Sequence, residues 1–283
     1  MQSPEQAVLA PAKLNLTLHV TGQRSDGYHL LDSLVIFADI GDRLTVEPGT
    51  GLALRATGPY GPDLPQGEDN LVMRAARLIG ARDLVLGLDK QLPLASGMGG
   101  GSSDAATTLR LLARTQGLAL PDTAALMRLG ADLPVCMKAP QPCRMQGLGE
   151  VVTPVQGVPG LALTIVNPGL PLSTPAVFKA LTRRCNQPMA HDLPVWRDTA
   201  EFCNWLADMR NDLQEPACNL LPEIRGVIAA LARQPGCLLA RMTGSGATCF
   251  GIFGTEQQAD AARHALARPG WFTTTARSAH RAP

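Results

Sequence analysis

Lysine is scarce in this chain of 283 residues: of 25 basic residues 21 are Arg, and the four Lys stand at 13, 90, 138 and 179. GC-rich codon usage, which favours Arg, Ala, Gly and Pro, accounts for the imbalance but not for why these four positions keep an amine. Aromatic residues are scarce too, at 4% with only two Tyr, which argues against a stacking platform for single-stranded nucleic acid. Net charge is +1 with Asp and Glu spread throughout, so no bulk field draws in nucleic acid or an anionic membrane. No apolar run approaches the roughly 18 residues of a membrane span. Met1 to Ala12 has neither a basic n-region nor a continuous apolar h-region, so no secretory leader is expected. The seven Cys form no CxxC pair and the five His no HExxH motif, which disfavours structural zinc, a disulfide framework and a zincin site. These absences predict a soluble, reduced, cytoplasmic protein with neither nucleic acid nor membrane as partner.

What is present is an ordinary globular composition, 45% hydrophobic and 17% charged. At roughly 150 residues per domain, two domains are expected. The Gly/Pro cluster Val155 to Gly160 is the best boundary, dividing the chain into 1–156 and 157–283. Residues 7–20 alternate, with Leu14, Leu16, Leu18 and Val20 on one face and Lys13, Asn15, Thr17 and His19 on the other, as in a strand with one apolar side. Further strands are expected at Leu30–Phe37, Arg43–Glu47, Leu52–Thr57 and Leu84–Asp89, and a helix capped by Asn70 with the stripe Leu71, Ala75, Leu78 and Ile79. Downstream, strands and helices mix without a regular βαβ rhythm, which favours α+β over a doubly wound sheet.

The strongest local signal is Pro93-Leu-Ala-Ser-Gly-Met-Gly-Gly-Gly-Ser-Ser-Asp104. Gly97, Gly99, Gly100 and Gly101 allow close backbone approach and run into a helix expected from about Ser103, whose free amides and positive dipole end suit phosphate. No Lys-Ser/Thr follows the last glycine, so this is not a Walker loop. The third glycine of GxGxxG would fall on Ser102, so it is not a Rossmann fingerprint either. Gly244-Ser-Gly-Ala-Thr248 is a weaker signal of the same kind, ordinarily a hairpin turn. Taken singly, Lys13 reads as part of a solvated strand face and Asp132, in Gly130-Ala-Asp-Leu-Pro134, as a helix-cap or turn carboxylate.

Together and in this order, Pro11-Ala-Lys-Leu-Asn15, the Pro93–Asp104 loop and Thr243-Gly-Ser-Gly-Ala247 resemble the three motifs of the GHMP small-molecule kinase superfamily. Thr21-Gly-Gln-Arg-x-Asp-Gly-Tyr-His29 and Gly130-Ala-Asp-x-Pro134 bring the resemblance closer to the branch acting on a cytidyl diphosphate alcohol. It runs from about residue 8 to residue 275. It implies an α+β fold of two domains with ATP and the alcohol bound between them. Lys13 and Asp132 then match the catalytic pair, Asp132 as base and Lys13 as the ammonium stabilising charge on the transferring group. Pro93, Leu94, Ala95, Ser96, Gly97, Met98, Gly99, Gly100, Gly101, Ser102 and Ser103 match the ATP loop. Asn15, Tyr28, His29, Thr174 and Phe178 match the substrate site, with Tyr28 and Phe178 on the two faces of the cytosine. Mg²⁺ is expected with the ATP, its ligands unassigned, and the chain is expected to be a monomer or weak homodimer.

The sequence departs from the family pattern in several places: Leu94-Ala-Ser96 replaces a glycine-rich loop start, Met98 a common Leu, Asp104 stands where Asn is frequent, the connection from the Asn70 helix to Leu84–Asp89 is short, and Val35 replaces a further aromatic. Other GHMP kinases, acting on mevalonate, homoserine or sugars, are the nearest rival, disfavoured by Asp26-Gly-Tyr-His29. A non-catalytic nucleotide-binding module is disfavoured by the pair Lys13 and Asp132.

Overall fold

The computed structural model describes residues 7–65 and 67–280. The first residues of the stretch inspected for a leader, and both ends of the chain, lie outside these. The alternating opening segment forms two strands, β1 (Val8–Asn15) and β2 (His19–Gln23), both antiparallel to β3 (His29–Pro48). Its polar face is not solvated: Lys13, Asn15, Thr17 and His19 are all buried. Pro11, which cannot donate to a ladder, sits at a break in the β1–β3 register just before Lys13.

The two strands expected at Leu30–Phe37 and Arg43–Glu47 are one strand of 20 residues. Residues 38–42 have turn composition, yet each polar group there finds a distant partner. Asp42 pairs with Lys90, Asp39 accepts from the Arg277 amide at 2.7 Å, and Gly41 lies opposite Pro11, where a Cβ would come within 2.0 Å of the Ala10 carbonyl oxygen. Strands β4 (Leu52–Thr57), β5 (Leu84–Asp89), β6 (Cys143–Gly147) and β7 (Val151–Pro154) complete a seven-stranded sheet in the order β4-β5-β3-β6-β7, with β1 and β2 also paired to β3.

The helices of this half are α1 (Leu71–Leu78), α2 (Gly100–Gln116), α3 (Thr123–Leu129) and α4 (Leu133–Cys136). Asn70 caps α1 as expected, its Oδ1 accepting from the Val72 amide at 2.9 Å. Of the expected stripe Ala75 and Ile79 are buried, but Leu78 is 40% exposed, and Val72, Met73 and Ala76 complete the buried face.

The second sheet, in the order β11-β8-β10-β9, is formed by β8 (Ala162–Asn167), β9 (Cys237–Met242), β10 (Cys249–Phe253) and β11 (Phe272–Arg277), all antiparallel. Around it stand α5 (Thr174–Lys179), α6 (Thr199–Asp208), α7 (Gln214–Leu220), α8 (Glu223–Ala232) and α9 (Glu256–Leu266). One core joins the halves: Leu14, Leu16, Leu34 and Ile36 pack with Leu163, Ile165, Phe202 and Phe250. The fold is α+β, as the element pattern required.

Candidate active site

A cleft of about 1130 Å³ gathers the motifs. That exceeds the usual 300–1,000 Å³ of a single small-molecule pocket, so it has room for two ligands. One wall is the loop leaving β5. Its backbone turns through positive φ at Ala95 (48°), Gly97 (78°) and Gly99 (63°). Helix α2 begins at Gly100, three residues before the expected Ser103, because Gly99 takes the left-handed cap position and its carbonyl accepts the Ser103 amide at 2.8 Å. A Cβ on Gly99 would meet Lys13 Cε at 2.9 Å, and one on Gly97 would meet the Gly246 carbonyl oxygen at 2.7 Å. The glycine loop is therefore packed directly on the catalytic-lysine candidate and on the C-terminal glycine turn.

Of the expected loop residues, Pro93 to Gly97 and Gly99 to Ser102 line the cleft. Met98 is in the core, and Ser103 is buried with its hydroxyl donating to the Pro11 carbonyl at 2.7 Å, so both face away from a ligand. The turn Gly244–Thr248 contributes Gly244 and Ser245 to the cleft and is tied in by Thr248 N–H to the Ser96 carbonyl at 3.2 Å. The Asn15 amide donates to Thr243 Oγ1 at 2.8 Å, and Asn211 Nδ2 donates to the Met242 and Gly244 carbonyls at 2.9 Å.

Lys13 is 3% exposed, and its Nζ lies 2.9 Å from Asp132 Oδ2 and 2.9 Å from Asn15 Oδ1. Asn15 is fixed in turn by donating to Ser33 Oγ at 2.8 Å. Asp132 occupies the N-cap position of α4, but its side chain makes no capping bond. It turns to Lys13 instead and remains 33% exposed. A carboxylate held on one oxygen by a buried ammonium, and open on its other side to a cleft, can accept a proton from a bound hydroxyl.

At the far end, Tyr28 is 66% exposed on the turn before β3, and His29 stacks on Phe178 of α5 with ring centroids 5.0 Å apart and planes 26° from parallel. Phe178 thus already has one ring face covered, by His29. Burial first, and the Arg184 guanidinium second, hold the His29 imidazole below its usual range, which favours the neutral ring. Thr174 also lines this end, with its hydroxyl 2.7 Å from that of Ser245. Val35 is in the core and not in the cleft.

A second ionic cluster has no counterpart among the sequence expectations. Lys90 is buried against Asp42 and Asp104, with Asp104 Oδ2 at 2.8 Å, and Asp42 Oδ1 also accepts the Gln91 and Leu92 amides at 2.6 and 2.9 Å. A Cβ on Gly100 would lie 3.0 Å from Lys90 Nζ, so the cluster underlies the glycine loop. Among the described residues no three His, Cys, Asp or Glu converge as a metal cage, and no helix is long and apolar enough to cross a membrane.

Comparison with known proteins identifies the family. The model of the GHMP kinases N terminal domain matches residues 70–143 and that of the GHMP kinases C terminal region matches residues 189–270. The chain is 55% identical over 271 residues to the 4-diphosphocytidyl-2-C-methyl-D-erythritol kinase of Cereibacter sphaeroides, covering 95% of this chain and 97% of that one. It is 53% identical to the enzyme of the same name from Dinoroseobacter shibae, covering 94% and 92%. A crystal structure of 4-(cytidine 5'-diphospho)-2C-methyl-D-erythritol kinase superposes with a TM-score of 0.79 at 32% identity, over 96% of this chain and 98% of that one. Mevalonate kinase from L. major shares the fold alone, with a TM-score of 0.63 at 14% identity over the whole of both chains. The chain belongs to the GHMP kinases and, within them, to the family of the 4-diphosphocytidyl-2-C-methyl-D-erythritol kinases.

Proposed function

We propose that this chain transfers the γ-phosphoryl group of ATP to the 2-hydroxyl of 4-diphosphocytidyl-2-C-methyl-D-erythritol, a step of the non-mevalonate route to isoprenoid precursors, in the cytoplasm. The observation that carries the reading is the Lys13–Asp132 contact of 2.9 Å in a cleft walled by the glycine loop. Phosphoryl transfer asks little covalent work of a protein, so positioning and charge stabilisation supply most of the rate. The loop amides and the first turn of α2 receive the β- and γ-phosphates. The substrate hydroxyl approaches Asp132, which takes its proton as the oxygen bonds to the γ-phosphorus. The bond from that phosphorus to the β,γ-bridging oxygen breaks, and ADP leaves. Lys13 stabilises the charge on the transferring group while fixing Asp132 and Asn15.

Mg²⁺ is assigned to the nucleotide phosphates, a mode that needs few protein ligands. Tyr28, His29, Phe178 and Thr174 receive the cytidyl diphosphate end. We divide the chain at 156/157, between the last strand of the first sheet, ending at Pro154, and the first of the second, starting at Ala162.

The test is turnover by the purified chain with MgATP and the cytidyl diphosphate alcohol, with mevalonate and homoserine as alternative acceptors. The reading requires kcat/KM for the cytidyl substrate to exceed that for either alternative by at least about 10³, the scale of discrimination available to a site that hydrogen-bonds its substrate. Preference for mevalonate or homoserine would overturn it.

A further inference from the structure

The two ends of the cleft differ in charge. Around the opening of α1 the lining includes the carboxylates Asp63 and Asp69, whereas the aromatic end carries Lys179 and Arg184 beside His29. Among the described residues neither of those two cations has a carboxylate partner, although Lys13, Lys90, Arg144 and Arg210 each have one. Arg184 contacts a neutral group: its Nη1 donates to Gln23 Oε1 at 3.3 Å, across to the end of β2. Its charge nonetheless reaches the His29 ring. Two cations without counter-ions, facing a space lined by aromatic rings, suit an anion attached to a flat base.

The segment that carries Arg184 has no regular structure, yet it is anchored closely. The Asn186 amide donates to the Val20 carbonyl at 2.9 Å, and its side chain to Asp212 Oδ2 at 3.1 Å. Farther on, the Met189 amide donates to Asp32 Oδ2 at 2.9 Å. Arg144, buried and paired with that same Asp32 at 2.7 Å, donates to the carbonyls of Met189, Ala190 and His191 at 2.8 to 3.0 Å. Taking such a pair out of water is costly, and its remaining donors all go to this one strap. Arg184 therefore leaves a base fixed two residues away, at Asn186, and its side chain lines the cleft.

We propose that Arg184 is a specificity-determining residue whose guanidinium, together with the Lys179 ammonium, holds the diphosphate of the alcohol substrate and so selects a nucleoside diphosphate ester over an unphosphorylated nucleoside. The inference rests on the function proposed above and adds the group that reads the diphosphate.

The experiment is calorimetric titration of the intact chain with CDP and, separately, with cytidine, after ADP has filled the phosphate loop. The wild type is compared with Arg184→Gln and Arg184→Lys. A charge-assisted contact at a partly exposed position is expected to change affinity about tenfold. Arg184→Gln therefore weakens CDP about tenfold and leaves cytidine within twofold; Arg184→Lys recovers part of the loss; KM for ATP and the melting temperature stay at wild-type values. CDP affinity unchanged by Arg184→Gln, or CDP and cytidine weakened equally, overturns the role of Arg184 while leaving the kinase reading intact. A wild-type chain that binds neither CDP nor cytidine overturns both.

Discussion

The Lys13 ammonium lies 2.9 Å from Asp132 Oδ2 and 2.9 Å from Asn15 Oδ1, so a single buried cation joins the end of β1 to the start of α4. The backbone of the same lysine donates to the Met98 carbonyl at 2.9 Å, and its side chain passes beneath Gly99, where a Cβ would come within 2.9 Å of its Cε. The glycine loop, the Asp132 carboxylate and the Asn15 amide are thus registered against one residue. A displacement of even an ångström between reacting groups is costly in rate, and this arrangement prevents it.

Lys13→Arg is expected to lower kcat at least about 10²-fold while the chain still folds. The wide planar guanidinium cannot replace a point charge in a chamber closed by Gly99. Steady-state kinetics checks this; a variant within a few-fold of wild type would show that any cation at position 13 serves.

Gly97→Ala and Gly101→Ala separate two uses of glycine in the loop. Gly97 has φ 78° and faces the Gly246 carbonyl oxygen at 2.7 Å, so the substitution should cost about 1–3 kcal/mol and raise KM for ATP. At Gly101, inside α2, the nearest atom to an added Cβ is Leu71 Cδ1 at 3.4 Å, so Gly101→Ala should melt at or above the wild-type temperature. Denaturation of both variants reads the difference.

Asp104 gives a pH prediction. Burial, reinforced by the Asp42 charge and opposed by Lys90, pushes its carboxyl up to about 8, and its Oδ1 is buried without a partner. Because the folded state holds the proton more tightly than the unfolded state, this contribution to stability is present below about pH 4 and lost as pH rises toward 8. Asp104→Asn removes the titration, so the stability of the variant relative to wild type should be more favourable at pH 9 than at pH 5. Urea midpoints at the two pH values measure it; a constant difference contradicts it.

Tyr28→Ala is expected to raise KM for the cytidyl substrate about tenfold, with KM for ATP and the melting temperature unchanged, since the ring is 66% exposed. Phe178→Ala should raise the same KM and also lower the melting temperature, because it removes the stack on His29. Equal rises in both KM values for Tyr28→Ala would remove its role on the base.

Features set by local chemistry were legible in the sequence. The Asn70 cap, strands β4 and β5 and the glycine turn leading into α2 follow from a capping residue, an alternating pattern or a glycine run. What was not legible depends on partners far away in the chain. Residues 38–42 look like a turn until Lys90, Arg277 and Ala10 arrive to satisfy or crowd them. The polar face of β1 looks solvated until Asp132, Ser33 and Gly99 come against Lys13 and Asn15. Asp132 looks like a cap because its position is one, and only the approach of Lys13 shows its side chain engaged elsewhere. Helices α4 and α7, of four and seven residues, are too short to register a periodic pattern and start without a side-chain cap. Of the four lysines, Lys13, Lys90 and Lys179 line the cleft and Lys138 does not, so scarcity alone pointed in the right direction without identifying the pair.

The most direct measurement is single-turnover transfer of γ-labelled phosphate from ATP to the cytidyl diphosphate alcohol by wild type and Asp132→Asn. Because Asp132 makes no capping bond, the variant should fold and bind both ligands normally. Label is expected on the alcohol for the wild type, with the variant transferring at least about 10²-fold more slowly. Transfer by the variant within a few-fold of wild type, with both ligands bound, would contradict the account.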